Sequence, residues 1–190
     1  MAVTNYSAAR RSGFKVGNDG VGKTAAITMT KMGTRTLYIP LQPSTWHFSG
    51  TSVDTTEDGV FTGVLFPNAN VATMHITTRL PAEWYSSSSS ISIEIFWKTT
   101  ATSGDAKFSI SIAPKENGET TALTETVTKT TTTNSTANKL NKTTQAFTFS
   151  NFAASDWIGI YLTRDPNDGD DTLNTNLTII GINIVFTGTG

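Results

Sequence analysis

The chain has no cysteine among its 190 residues. That removes disulfides, thiol nucleophiles and cysteine-based metal sites together. Histidine is nearly absent too: His47 and His75 are the only two. Neither stands at a metal-binding or catalytic-triad spacing from a partner, so both read as surface or loop-rim residues. Charge is scarce, at 15% of residues with a net of −1, well below the usual quarter. Charge-driven binding to nucleic acid or to an anionic membrane is therefore not expected. Long apolar runs are missing. The longest, around residues 177–186, is interrupted by Thr178, Gly181 and Asn183 and is too short to span a bilayer. The opening residues Met1–Tyr6 lack a basic start leading into an apolar segment, so the expectation is a chain without a secretory leader, made in the cytoplasm. No window of a dozen residues carries an apolar stripe of helical period.

Threonine fills the space left by these absences. The chain has 36 Thr and 17 Ser, and they alternate with large apolar residues. Ser90-Ile91-Ser92-Ile93-Glu94-Ile95 and Phe108-Ser109-Ile110-Ser111-Ile112 show the pattern most clearly. Alternation of this kind, rich in β-branched residues, marks half-buried strands. Their polar face consists of hydroxyls rather than charges.

The strands come at short, regular intervals from Thr34 onward. Leu37, Ile39 and Leu41 alternate before Pro43; Val64 and Phe66 share a face, as do Met74, Ile76 and Leu80. In 90–99, Ile91, Ile93, Ile95 and Trp97 face one way. Thr102-Ser103-Gly104-Asp105 reads as the turn of a hairpin into 106–113, with Phe108, Ile110 and Ile112 inward. Residues 120–144 read as an edge strand and loop, with Lys129, Lys139 and Lys142 discouraging edge pairing. Ile158, Ile160 and Leu162 resume the core, and Trp97 and Trp157 are expected in a core or sheet-packing role. In 177–186 the apolar phase switches from odd to even positions, which predicts a bulge near Gly181 or burial on both faces. Eight or more short strands separated by turns predict an all-β fold: an antiparallel β-sandwich of jelly-roll type, with an up-and-down barrel as the alternative. Residues 1–33 are Gly-rich and poor in large apolar groups. They are expected to form an extended arm or hairpin, with residues 34–190 as the sandwich domain.

Few motifs carry chemistry. Gly17-Asn18-Asp19-Gly20-Val21-Gly22-Lys23-Thr24 matches the phosphate-binding loop in spelling. That loop requires a buried strand before it and a helix after it, and Ala25–Thr30 is short and Thr-rich; a Gly-rich hairpin is the reading. Asp165, Asn167, Asp168, Asp170 and Asp171 cluster in one turn and are candidate oxygen ligands for calcium. The cluster departs from the helix-loop-helix calcium pattern, with Gly169 one place early and Asn176 at the position of the closing Glu. An exposed acidic turn is the plainer reading, and no other cofactor is expected. Glu57, Asp58, Glu83, Glu94 and Asp105 are available for a glycosidase-like carboxylate pair, but nothing singles out two of them, so a non-enzymatic protein is expected. Trp84-Tyr85 sits before a serine run and is a candidate carbohydrate-stacking pair. The sequons at Asn134, Asn141 and Asn176 are read as chance matches in a Thr-rich chain.

The stretch Ile95-Phe96-Trp97-Lys98-Thr99-Thr100-Ala101-Thr102-Ser103-Gly104-Asp105, the strand after it, and Tyr161–Asp165 through Asp171–Leu173 resemble β-sandwich modules of bacteriophage virion proteins: capsid decoration or cement proteins, head fibres and tail fibres. Phe14-Lys15-Val16-Gly17 is similar to the β-arm leading into such modules. The resemblance implies a non-catalytic virion part at the particle surface, commonly a homotrimer, with residues 1–33 contacting the major capsid or other virion proteins. The alternative is a fibre or cellular adhesin module that binds surface carbohydrate.

Overall fold

A computed structural model describes residues 14–15, 28–29, 34–41, 46–49, 53–58, 61–81, 91–115, 125–148, 152–153 and 155–189. Every regular element among them is a strand. In chain order these are β1 (Phe14–Lys15), β2 (Thr28–Met29), β3 (Thr34–Leu41), β4 (His47–Ser49), β5 (Asp54–Asp58), β6 (Phe61–Phe66) and β7 (Ala72–Arg79). There follow β8 (Ile91–Thr99), β9 (Asp105–Lys115), β10 (Glu125–Thr132), β11 (Asn141–Phe147), β12 (Trp157–Arg164) and β13 (Leu177–Thr189).

Two antiparallel sheets make the sandwich expected from the sequence. The five-stranded sheet runs β10-β9-β12-β7-β4; the other runs β11-β8-β13-β6-β5, with β3 also on β13. β1 and β2 form a separate antiparallel pair, Phe14 opposite Met29.

The core lies between the sheets because the alternation aims it there. Ile91, Ile93, Ile95 and Trp97 from one sheet are fully buried, as are Phe108, Ile110 and Ile158 from the other. Trp97 meets Phe108 edge-on at 5.9 Å. Its indole Nε1–H donates to Thr143 Oγ1 at 2.9 Å, and that hydroxyl donates to Thr131 Oγ1 at 2.8 Å. Thr143 is on β11 and Thr131 on β10, so this chain of hydroxyls ties the two sheets together at one end. Threonine is thus not confined to the outside: Thr99 and Thr143 are buried in the inward phase of their strands.

The bulge near Gly181 is present. The register between β13 and β8 shifts between Ile179 and Gly181, which brings both Ile179 and Ile182 into the core. The expected hairpin is not. β8 pairs with β11 and β13, whereas β9 pairs with β10 and β12. The turn at 100–104 therefore carries the chain from one sheet to the other. Gly104 makes that crossing with φ of +99°, and a Cβ there would stand 2.8 Å from the Thr172 carbonyl oxygen. Trp157 also departs from expectation: it is 53% exposed, on the outer face of β12, because Ile158 and Ile160 take the inward phase.

Candidate functional site

The outer face of the five-stranded sheet can be built strand by strand from the register. Alternation sends Ile158, Ile160 and Leu162 of β12 inward. Trp157, Gly159, Tyr161 and Thr163 must then point outward. The neighbours follow from pairing: Trp157 lies between Lys115 and Arg79, Gly159 between Ala113 and Thr77, and Tyr161 between Ser111 and His75. The Tyr161 row continues on both sides, to Thr126 on β10 and His47 on β4. The next row holds Thr128, Ser109, Thr163, Thr73 and Ser49.

The result is a hydroxyl-rich surface with two aromatic posts, Trp157 flanked by the cations Lys115 and Arg79 and Tyr161 standing among uncharged rows. Tyr161 is 41% exposed and packs edge-on against the His75 ring at 4.3 Å. Ser111 and Thr126 hydroxyls meet at 2.7 Å, and Thr73 and Thr163 hydroxyls at 3.2 Å. No carboxylate occupies these rows. Arg79 Nε donates to the Ser155 carbonyl at 2.8 Å, which holds its guanidinium at the rim near Trp157. Beside Tyr161 a trough of about 380 Å³ is lined by His75, Thr77, Ser111, Ala113, Gly159 and Tyr161, with Trp157 outside its lining. Its floor is open because Gly159 has no side chain. A Cβ there would meet only the Ala113 carbonyl oxygen, at 3.9 Å. The fold does not need a glycine at that point, and a glycine inside a strand often marks close approach by a ligand.

A larger depression of about 510 Å³ lies near one end of the other sheet, with Asn68, Lys98, Asn138, Asn174, Asn176 and Thr178 among its lining. Aromatic rings are missing from that lining. Part of its polar wall is engaged internally: Asn176 Oδ1 accepts from the Asn68 amide at 2.8 Å, and Thr99 Oγ1 donates to the Asn176 carbonyl at 2.9 Å. The trough therefore offers the richer binding surface.

The acidic turn is committed to the chain's own cations. Asp171 forms two 2.9 Å bonds with the fully buried Arg164, one from Nε and one from Nη2. Arg164 also donates to the Leu173 and Thr175 carbonyls. Lys107 Nζ lies 2.9 Å from both Asp168 and Asp170. The Asp170 amide, and then the Lys107 ammonium, hold the Asp168 carboxyl below the usual carboxylate range. Asp170 and then Asp168 raise the Lys107 ammonium above its ordinary value. Asp165 accepts from the Asn167 amide at 2.9 Å. Among the described residues no three His, Asp or Glu side chains gather as metal ligands.

The other sequence candidates separate. Glu94 pairs with Lys142 at 2.9 Å on the six-stranded sheet and raises that ammonium's pKa. Asp105 starts β9, where its carbonyl accepts from the Thr172 and Leu173 amides. Glu57 and Asp58 fall in β5. The phosphate-loop match at Gly17–Thr24, Glu83 and the Trp84-Tyr85 pair lie outside the described residues. The structure brings together His47 and His75, whose sequence positions gave no hint of proximity. It also exposes Trp157, which the sequence reading had placed inside, and Tyr161, which it passed over. Their signal was present: if Ile158, Ile160 and Leu162 face inward, the aromatics beside them face out.

No family model and no curated protein matches the chain. Solved structures resemble it in fold. An exo-β-1,3-galactanase from Phanerochaete chrysosporium, crystallised with galactose, has a TM-score of 0.50 at 12% identity, over 85% of this chain and 30% of that one. The enzymatically active domain of tailspike protein 4 from bacteriophage CBA120 has a TM-score of 0.41 at 15% identity, over 77% of this chain and 20% of that one. A family 11 carbohydrate-binding module from Clostridium thermocellum, in complex with a mixed-linked tetrasaccharide, has a TM-score of 0.39 at 9% identity, over 83% of this chain and 98% of that one. The chain thus spans under a third of the galactanase and of the tailspike domain. The likeness is one of fold: an all-β, jelly-roll-like sandwich.

Proposed function

We propose that this protein is a non-catalytic carbohydrate-binding sandwich whose ligand lies across the outer face of the five-stranded sheet. The observation that carries the reading is Gly159, bare in the middle of a central strand and flanked along β12 by the exposed Trp157 and Tyr161. Sugar rings present apolar C–H faces for aromatic stacking and a rim of hydroxyls for hydrogen bonding. The face supplies both: two aromatic posts and a field of Thr, Ser and His side chains. Trp157 and Tyr161 are four residues apart, about 13 Å along a strand, which favours an oligosaccharide over a single ring. The rows of Tyr161 and Thr163 carry no Asp, Glu, Lys or Arg, which suits a neutral glycan, while Lys115 and Arg79 flank Trp157 at the rim. Acid–base glycoside hydrolysis needs two carboxylates flanking the bond, and the trough's lining among the described residues holds none, which supports binding without turnover.

A glycan array with the wild-type chain tests this, followed by titration of the best hit. Tyr161→Ala and Gly159→Phe are expected to weaken binding by about tenfold or more, roughly 1.4 kcal/mol, with the thermal midpoint little changed. Loss of binding in Trp84→Ala instead, with Tyr161→Ala and Gly159→Phe unaffected, would move the site to the loop before β8. A blank array would overturn the reading.

The place of such a module on a virus particle, as decoration protein or fibre, is a separate proposal that rests on the sequence resemblance. A fibre that grips a surface glycan satisfies both. Cosedimentation with assembled particles tests it, and a chain that never associates with capsid or tail would count against it.

A further inference from the structure

Nothing in the glycan reading requires two histidines, yet the fold places both of the chain's imidazoles side by side. His47 on β4 is the direct cross-strand partner of His75 on β7. Both are exposed, while their neighbours Phe48, Met74 and Ile76 turn inward. Residues directly opposite in an antiparallel pair have Cβ atoms roughly 4.5–5.5 Å apart and share one face. Two imidazoles at that separation can converge on one ion.

We propose that His47 and His75 form a two-imidazole site for a borderline divalent transition metal: zinc, copper or nickel. The donor chemistry selects the class. Neutral imidazole nitrogen suits these ions, whereas calcium and magnesium demand oxygen. The His75 ring is already oriented, edge-on to Tyr161 at 4.3 Å, with Ser49 Oγ 3.5 Å from its Nε2. That oxygen stands at the outer limit of a hydrogen bond and leaves the nitrogen free to bind elsewhere. Among the described residues no Asp, Glu or third His joins the pair. The site is therefore open, with water or a ligand oxygen completing the coordination, as in metal centres that keep an accessible position. β4 is a three-residue strand at the end of the five-stranded sheet, so an ion shared by His47 and His75 would also clip that edge to β7. His75 also lines the trough beside Tyr161, but the metal site does not rest on the glycan reading, and its test is run without glycan.

The test uses the full chain without an affinity tag, because a tag would add histidines. With two histidines in the chain, a long-range ¹H–¹⁵N spectrum of imidazoles shows two spin systems. Zinc is titrated into the wild type, His47→Ala and His75→Ala, with calorimetry for stoichiometry. Both imidazoles are expected to shift together and saturate at one zinc per chain, with reversal by chelator. In His47→Ala the His75 response should vanish or require at least about ten times more zinc, a difference of 1.4 kcal/mol. The thermal midpoint should rise with zinc in the wild type and in neither variant. An unchanged His75 response in His47→Ala, separate saturation of the two rings, or zinc binding that survives both substitutions would overturn the proposal. So would no shift at all.

Discussion

Arg164 is buried with 0% exposure, and four acceptors surround its guanidinium: both oxygens of Asp171 and the carbonyls of Leu173 and Thr175. Removing one partner of a buried pair leaves the other charge without solvent or counter-ion, at a cost of about 3–5 kcal/mol. Arg164→Met should destabilise the protein by about that much, measured by urea unfolding. Replacing both members, Arg164→Met with Asp171→Leu, should recover part of the loss, because the double change removes the orphaned charge. Recovery of nothing would mean that the carbonyl bonds, not the ion pair, hold the turn. Lys107, one strand away, sits nearer the solvent and answers to pH. Asp168 has a lowered pKa, so its contribution is full above the ordinary carboxylate range and is lost as pH falls through its lowered folded value. Lys107 has a raised pKa, so its contribution is full below the ordinary ammonium range and is lost as pH rises through its raised value. The cluster is therefore fully formed across the neutral range. The difference in thermal midpoint between wild type and Lys107→Met should be constant there and shrink in strong acid and strong alkali. A difference that changes between pH 6 and 8, roughly the range where histidine titrates, would assign the effect to other groups.

Two glycines inside strands look alike in the sequence and play opposite parts in their elements. A Cβ on Gly63 of β6 would lie 2.5 Å from Thr178 Cγ2 and 2.9 Å from the Ile179 carbonyl oxygen on β13. Gly63→Ala should therefore cost about 1–3 kcal/mol by overpacking. Gly159→Ala meets nothing closer than 3.9 Å and should be neutral or stabilising by up to about 1 kcal/mol, the usual gain on replacing a strand glycine. Equal effects in urea titrations would contradict this assignment. The contrast shows what alternation can and cannot convey. It fixes which face a residue takes, so the buried rows of β8, β9 and β12 and the phase switch at Gly181 were legible. It does not say which strand lies alongside, so β8 and β9 read as a hairpin although each belongs to a different sheet. The site suffered the same loss. The inward phase of Ile158, Ile160 and Leu162 carried the signal that Trp157 and Tyr161 face out, although the reading placed Trp157 inside; the meeting of His47 with His75, and of Asp171 with Arg164, depends on register between strands.

At the scale of the molecule, β13 governs whether the six-stranded sheet exists. It pairs with β8 along one edge and with β6 and β3 along the other, yet it is the last strand in the chain. Its inward residues Ile179, Ile182, Ile184 and Phe186 all enter the core. Without it, β3 and β6 lose their partner in the middle of the sheet, and their main-chain groups face a gap instead of a hydrogen-bonded neighbour. The partnerships it makes span most of the sequence, so chain entropy is spent before the contacts repay it, and sandwiches with such pairing fold in roughly milliseconds to seconds. Two outcomes are expected. A chain ending at Asn176 should lack near-ultraviolet circular dichroism and a cooperative melt, and adding a peptide of residues 177–190 should restore part of both. The intact chain, diluted from urea, should regain the fluorescence of its buried indoles, Trp46 and Trp97, in milliseconds or slower. Of these, Trp97 reports on β13, because Ile179 lies directly across from it on that strand. Native-like fluorescence in the truncated chain, or refolding in microseconds, would mean that the five-stranded sheet and its core stand alone and that β13 only completes them.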